Sequence, residues 1–78
     1  MDTLSRVRAI VAEVAGIKIA SADDVPADLG IDSVGMVEIA FSIEDIFEVE
    51  LRNDELRGIR TVKDLATLID GKCRKWRM

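Results

Sequence analysis

Asp32 and Ser33 place a carboxylate and a hydroxyl at the start of a helical pattern, in the run DLGIDSVGMVEI that spans residues 28–39. Both are strong helix N-cap residues, and the unpaired N–H groups and positive dipole end of a first turn welcome an anion. The chemistry that suits this arrangement is attachment, with a phosphate or phosphodiester on the Ser33 hydroxyl. Simple capping is the commoner role of such a pair, so the surroundings must decide.

Those surroundings offer little catalysis. The chain has no histidine, so the commonest general base is missing and Ser33 has no Ser-His-Asp arrangement to activate it. Cys73 also lacks a histidine partner and sits among Lys72, Arg74 and Lys75, which reads as an incidental free thiol. The acids at 24, 28 and 32 do not follow the order of a calcium-binding loop, and one cysteine without histidine makes no zinc site. Gly30 and Gly35 fit neither phosphate-cradling fingerprint. No metal site is expected, and the chain reads as a protein that is not an enzyme.

The elements that position Ser33 follow from apolar spacing. Leu4, Val7, Val11 and Val14, with Thr3 or Asp2 as cap and Gly16 as stop, predict a first helix over Thr3 to Ala15. Ile17 to Ile31 is rich in breakers and carries Ile17, Ile19, Val25 and Leu29, predicting a long loop that packs onto the core. A second helix runs from Ser33 to Phe47 or Glu48. Asn53 to Leu56 forms a short turn of helix, and Thr61 caps a last helix carrying Val62, Leu65, Leu68 and Ile69, with Gly71 near its end. No strand pattern, repeat or domain boundary is visible. The expected fold is all-α, a bundle of three principal helices plus one short helix.

On a wheel of 100° per residue with Val34 at zero, Met36, Ile39, Ala40, Ile43, Ile46 and Phe47 fall between about 120° and 240°, the core face of the second helix. Val37, Glu38, Phe41, Asp45 and Glu48 cluster within about 60° of Val34. Three apolar residues ringed by acids on a face the core does not need have the composition of a docking surface.

At 78 residues, 49% hydrophobic and 33% charged, the chain has the composition of one small globular domain. Residues 23–55 contain eleven acids and only Arg52, about −10, whereas residues from 56 onward contain two acids and seven bases. A net charge of −4 argues against nucleic acid as the partner. A lone cysteine cannot form an internal disulfide, no apolar run approaches the roughly 20 residues of a membrane span, and the N-terminus lacks a signal-peptide core. A soluble, unprocessed, cytoplasmic monomer is the expectation.

The same run resembles the modification site of the acyl carrier proteins: Asp28-Leu29-Gly30 leads into Asp32-Ser33 at the start of the second helix, and Glu38 follows five residues after the serine. The likeness extends through the acidic loop, Ile46-Phe47, Glu50-Leu51 and the Thr61-Val62-Lys63-Asp64-Leu65 opening of the last helix.

This resemblance implies a non-catalytic carrier covering residues 1–78. Ser33, beside Asp32, bears a covalent 4'-phosphopantetheine taken from coenzyme A by a Mg-dependent phosphopantetheinyl transferase. The terminal thiol holds acyl groups for enzymes of fatty-acid, lipid or polyketide synthesis that present basic patches. By position, Glu38, Asp45 and Glu48 supply docking charge, Val34, Val37 and Phe41 supply apolar contact, and Ile39, Ile43, Ile46 and Phe47 line an acyl pocket or simply fill the core. Two departures stand out. Val34-Gly35 replaces the usual Leu and acid, removing a charge and loosening the first turn. The basic tail at 72–78 either complements a helix dipole or meets an acidic partner or membrane surface through Trp76. An aminoacyl or peptidyl carrier and an unmodified acidic helical adaptor are the alternatives.

Overall fold

Capping residues and apolar spacing produce four α-helices and one 3₁₀ turn in the computed structural model, which describes residues 2–76 and the side chains of residues 2–72. Helix α1 is Thr3–Ala15, the 3₁₀ turn Pro26–Leu29, α2 Ser33–Phe47, α3 Asn53–Arg57 and α4 Val62–Trp76. The described residues contain no strand, as the all-α expectation required.

Helix α1 is capped by Asp2, whose carboxylate accepts the Ser5 N–H at 2.9 Å. Its buried residues are Val7, Ile10, Val11 and Ala12, with Leu4 and Val14 only half-buried. The buried arc is wider than the expected stripe because α1 packs against both α2 and α4. Val7, Val11, Ile39, Ile43, Val62, Leu65 and Ile69 have no solvent exposure and form the centre of the core.

The segment between α1 and α2 is more structured than a loop draped on that core. Ile17 and Ile19 are exposed, and Ala20 and Ile31 are buried instead. Arg8 fixes the backbone here, its Nε donating to the Ala20 carbonyl at 2.7 Å and tying the buried Ala20 to α1. Farther along, the Ala22 and Asp24 carbonyls accept the Lys63 and Val62 N–H groups at 2.9 and 3.0 Å. These bonds supply partners for donors that the first turn of α4 leaves unsatisfied. Thr61 and Asp64 complete the start of α4: Thr61 Oγ1 accepts the Asp64 N–H, and Asp64 Oδ2 accepts the N–H groups of Arg60 and Thr61, all at 3.2 Å. That reciprocal exchange is a capping box with Asp in place of Glu.

Helix α4 does not end near Gly71. It continues to Trp76, so residues 72–76 are helix rather than a separate tail, while the side chains of residues 73–78, Cys73 and Trp76 included, lie outside the described residues. A single glycine costs only about 1 kcal/mol in a helix interior, and the next residue gains a partner: Lys72 Nζ lies 2.8 Å from Glu55 Oε2. Glu55 also accepts the Arg52 N–H at 3.0 Å, so one carboxylate both starts α3 and ties it to α4.

The Lys72 ammonium, and then the Arg52 N–H, hold the Glu55 carboxyl below its ordinary 4.5. The N–H groups of Thr61 and Arg60 do the same for Asp64. Both folded-state values lie below the unfolded ones, so this stabilisation is fully present above the ordinary carboxylate range and is lost as pH falls through the folded values. Glu55→Gln is therefore expected to lower the thermal midpoint at neutral pH and to flatten its fall between about pH 5 and about pH 3. Parallel curves for the two proteins in an acid titration followed by circular dichroism would count against the Glu55 tie.

Candidate functional site

Ser33 is exposed at the first position of α2, one residue past its cap. Three local features put it there. The Gly30 backbone is left-handed, with φ of +83°, and its N–H bonds to the Ala27 and Pro26 carbonyls, closing the 3₁₀ turn. A residue with a Cβ is strained in that conformation, which is why the Asp-Leu-Gly run turns where it does. Ile31 is then buried, with its N–H on the Pro26 carbonyl at 3.1 Å, and acts as the anchor that precedes the site. Finally, Asp32 caps α2: its Oδ1 accepts the Gly35 N–H at 2.9 Å and its carbonyl accepts the Met36 N–H at 2.9 Å.

Asp32 is thus spent on orienting the helix start and is not poised as a base. No partner among the described residues takes the N–H groups of Ser33 and Val34. With the dipole end of a fifteen-residue helix beneath it, an exposed hydroxyl here accommodates an anionic ester. A phosphodiester fits; intrinsic catalysis does not, since no described side chain hydrogen-bonds to the hydroxyl as a base would.

The outward stripe of α2 is open. Val34 and Phe41 are each 66% exposed and Val37 is 47% exposed. Glu38 and Asp45 are exposed beside them, and Glu48 follows at the C-cap with a left-handed backbone, φ of 55°. None of these three acids forms an ion pair among the described residues. Glu44, by contrast, is turned inward, accepting the Leu51 N–H at 2.9 Å and fixing the chain beyond α2.

On the inner stripe one residue, Ile46, departs from the expected core face. Ile39 and Ile43 are fully buried core residues. Phe47 packs at the core edge with the Arg6 guanidinium 5.3 Å over its ring, and Ile46 is 48% exposed. Ile46 sits at the 120° margin of the wheel, where no neighbouring helix covers it. None of the four lines the cleft that lies beside Ser33. That cleft, about 410 Å³, lies between Val25, Pro26 and Ala27 of the turn region, Ile31 and Met36 on either side of Ser33, and Leu56, Ile59 and Arg60 of α3 and the link to α4. Its volume is in the range of ligand pockets, about 300–1,000 Å³. The apolar pair Leu56 and Ile59 at three-residue spacing was the available signal for it; Arg60 carried none.

Gly35 has a packing reason. A Cβ there would stand 2.7 Å from Ile31 Cγ2, a contact that a buried β-branched side chain cannot easily yield. The residue that loosens the first turn of α2 is also what lets Ile31 close over it and form one wall of the cleft.

A model of the family described as "Phosphopantetheine attachment site" matches residues 5–69. An acyl carrier protein of Trieres chinensis is 34% identical over 77 residues, covering 95% of this chain and 96% of that one. One from Zymomonas mobilis is 36% identical over 72 residues, covering 88% and 92%. Among solved structures, a type-II acyl carrier protein from Streptomyces verticillus involved in bleomycin biosynthesis superposes with a TM-score of 0.82 at 25% identity, over 88% of this chain and 83% of that one.

Gly71 serves as a reference for Gly35, since nothing lies within 4 Å of a Cβ added at Gly71. Gly71→Ala is expected to gain about 1 kcal/mol, raising the thermal midpoint by about 4–8 °C. Gly35→Ala is expected to gain nothing or to lose up to about 3 kcal/mol, as overpacking does. Equal stabilisation by the two in a melting experiment would remove the packing argument.

Proposed function

Because the chain belongs to the acyl carrier protein family, whose members carry rather than catalyse, we propose that Ser33 is its attachment point for 4'-phosphopantetheine and that the loaded protein delivers acyl groups to partner enzymes. The observation that carries this reading is the exposed Ser33 hydroxyl at the first position of α2, behind an Asp32 cap.

Attachment joins Ser33 Oγ to the phosphorus of coenzyme A's pantetheine arm. The pyrophosphate P–O bond breaks, adenosine bisphosphate leaves, and a base of the phosphopantetheinyl transferase takes the serine proton, since this chain supplies none. When attached, the arm supplies a thiol that holds acyl groups as thioesters. Asp32 holds the first turn so that Ser33 faces outward, and the free first-turn N–H groups and helix dipole stabilise the phosphodiester. Part of an acyl chain folds back into the cleft between Ile31, Met36, Leu56 and Ile59, shielded from water.

The outward stripe of α2 serves as the docking face. Glu38, Asp45 and Glu48 steer the carrier toward basic patches on its partners, and Val34, Val37 and Phe41 form the apolar centre of the contact. No described helix is long and apolar enough to cross a membrane.

Incubation with coenzyme A and a promiscuous phosphopantetheinyl transferase is expected to add one phosphopantetheine by intact mass, with none on Ser33→Ala; a gain that persists in that variant would place the site elsewhere. Reversal of Glu38 and Asp45 to Lys should slow the same modification roughly tenfold at low salt, with the gap closing as salt rises. Equal rates at low salt would exclude these two acids from docking.

A further inference from the structure

Half of the eight cations with described side chains are committed. Arg52 pairs with Asp54 at 3.1 Å and Lys72 with Glu55; Arg8 Nε is on the Ala20 carbonyl and Arg6 covers the Phe47 ring. Arg60 differs. Its backbone N–H bonds Asp64, but its guanidinium has no ion-pair partner among the described residues, and it is the one charged residue lining the apolar cleft beside Ser33. Asp64, four residues on, accepts the N–H groups of Thr61 and Arg60. A guanidinium presents a rigid fork of donors suited to a carboxylate, and at the edge of an apolar surface its attraction is less screened than in open water.

We propose that Arg60 makes this cleft selective for acyl cargo that ends in a carboxylate. The methylene segment of a dicarboxylic acyl group lies along Ile31, Met36, Leu56 and Ile59, and its free carboxylate meets the Arg60 guanidinium. A neutral chain of the same length fills the same apolar walls but gains nothing from Arg60. The inference rests on the carrier reading of Ser33 and adds to it the chemical class of the cargo. Modification would also bring an anion near, the phosphodiester on Ser33 itself, which is present whatever the cargo.

The test uses holo protein loaded with ω-carboxyacyl groups of graded length or with their methyl esters, intact mass verifying each load. Thioester cleavage by added hydroxylamine is measured for each and normalised to the same acyl group on free pantetheine. At one or more lengths the carboxylate cargo should be cleaved roughly two- to fivefold more slowly than its ester, the range an exposed ion pair provides. That ratio should fall to about one in Arg60→Gln, recover in part in Arg60→Lys, and shrink in high salt. Equal protection of acid and ester at every length, or a ratio unchanged in Arg60→Gln, overturns the proposal while leaving the carrier reading intact. If Arg60→Gln instead alters the thermal midpoint of unloaded holo protein relative to apo protein, and changes the cleavage of acid and ester cargo by the same factor, Arg60 serves the phosphodiester and the cargo proposal fails. Failure of Ser33 to accept the arm at all is a different result, visible in the mass before any cargo is compared, and it ends both readings.

Discussion

The burial of two sides of α1 governs everything else in this fold. Val7 and Val11 share the fully buried centre with Ile39 and Ile43 of α2 and with Val62, Leu65 and Ile69 of α4. Because α1 contacts both partners, it sets the rotation of α2 about its own axis. Once Ile39, Ala40 and Ile43 turn toward α1, Val34, Val37, Glu38 and Phe41 have no place but the outside. Each buried aliphatic side chain contributes about 1.5–3 kcal/mol by removal from water, so a rotated α2 loses more than any surface interaction returns. The outward position of Ser33 is thus a consequence of core packing as much as of its own cap.

A second constraint acts at shorter range. Gly30 turns the chain, Ile31 is buried, Asp32 caps, and Gly35 leaves the room that Ile31 occupies. Four neighbouring residues therefore fix where the helix begins, where the hydroxyl stands and where one wall of the cleft runs. Change at position 35 alters all three together, which ties the site's most distinctive sequence feature to packing rather than to charge alone.

Two sets of acids stand out along the chain. Asp24, Asp32, Glu44, Glu55 and Asp64 accept backbone N–H groups and hold turns, caps and connections in place. Glu38, Asp45 and Glu48 make no such bonds to the described residues and stay in solvent around the apolar stripe of α2. The same residue types at similar density serve architecture in one set and leave an external field in the other. Composition reports their sum, and only hydrogen-bond geometry separates them.

What could be read directly from the residues was local. The bounds of α1 and α2, the cap at Asp32, the exposed stripe around Val34 and the helical class follow from near-neighbour periodicity and capping, and the run from Asp28 to Glu38 named the family. Several features needed the assembled fold. Ile46 lies at the margin of its helical face, and whether a neighbour covers it depends on distant segments. Ala20 is buried and Ile19 exposed where Arg8, from α1, binds the Ala20 carbonyl. Helix α4 passes through Gly71 to Trp76. The cleft joins residues from 25 to 60 that meet only after α1 has oriented α2 and the Glu55–Lys72 tie has set α3 against α4. Periodicity records which face of each helix is apolar; it holds no information on the gap left between two such faces, and it is that gap which brings Arg60 beside the site.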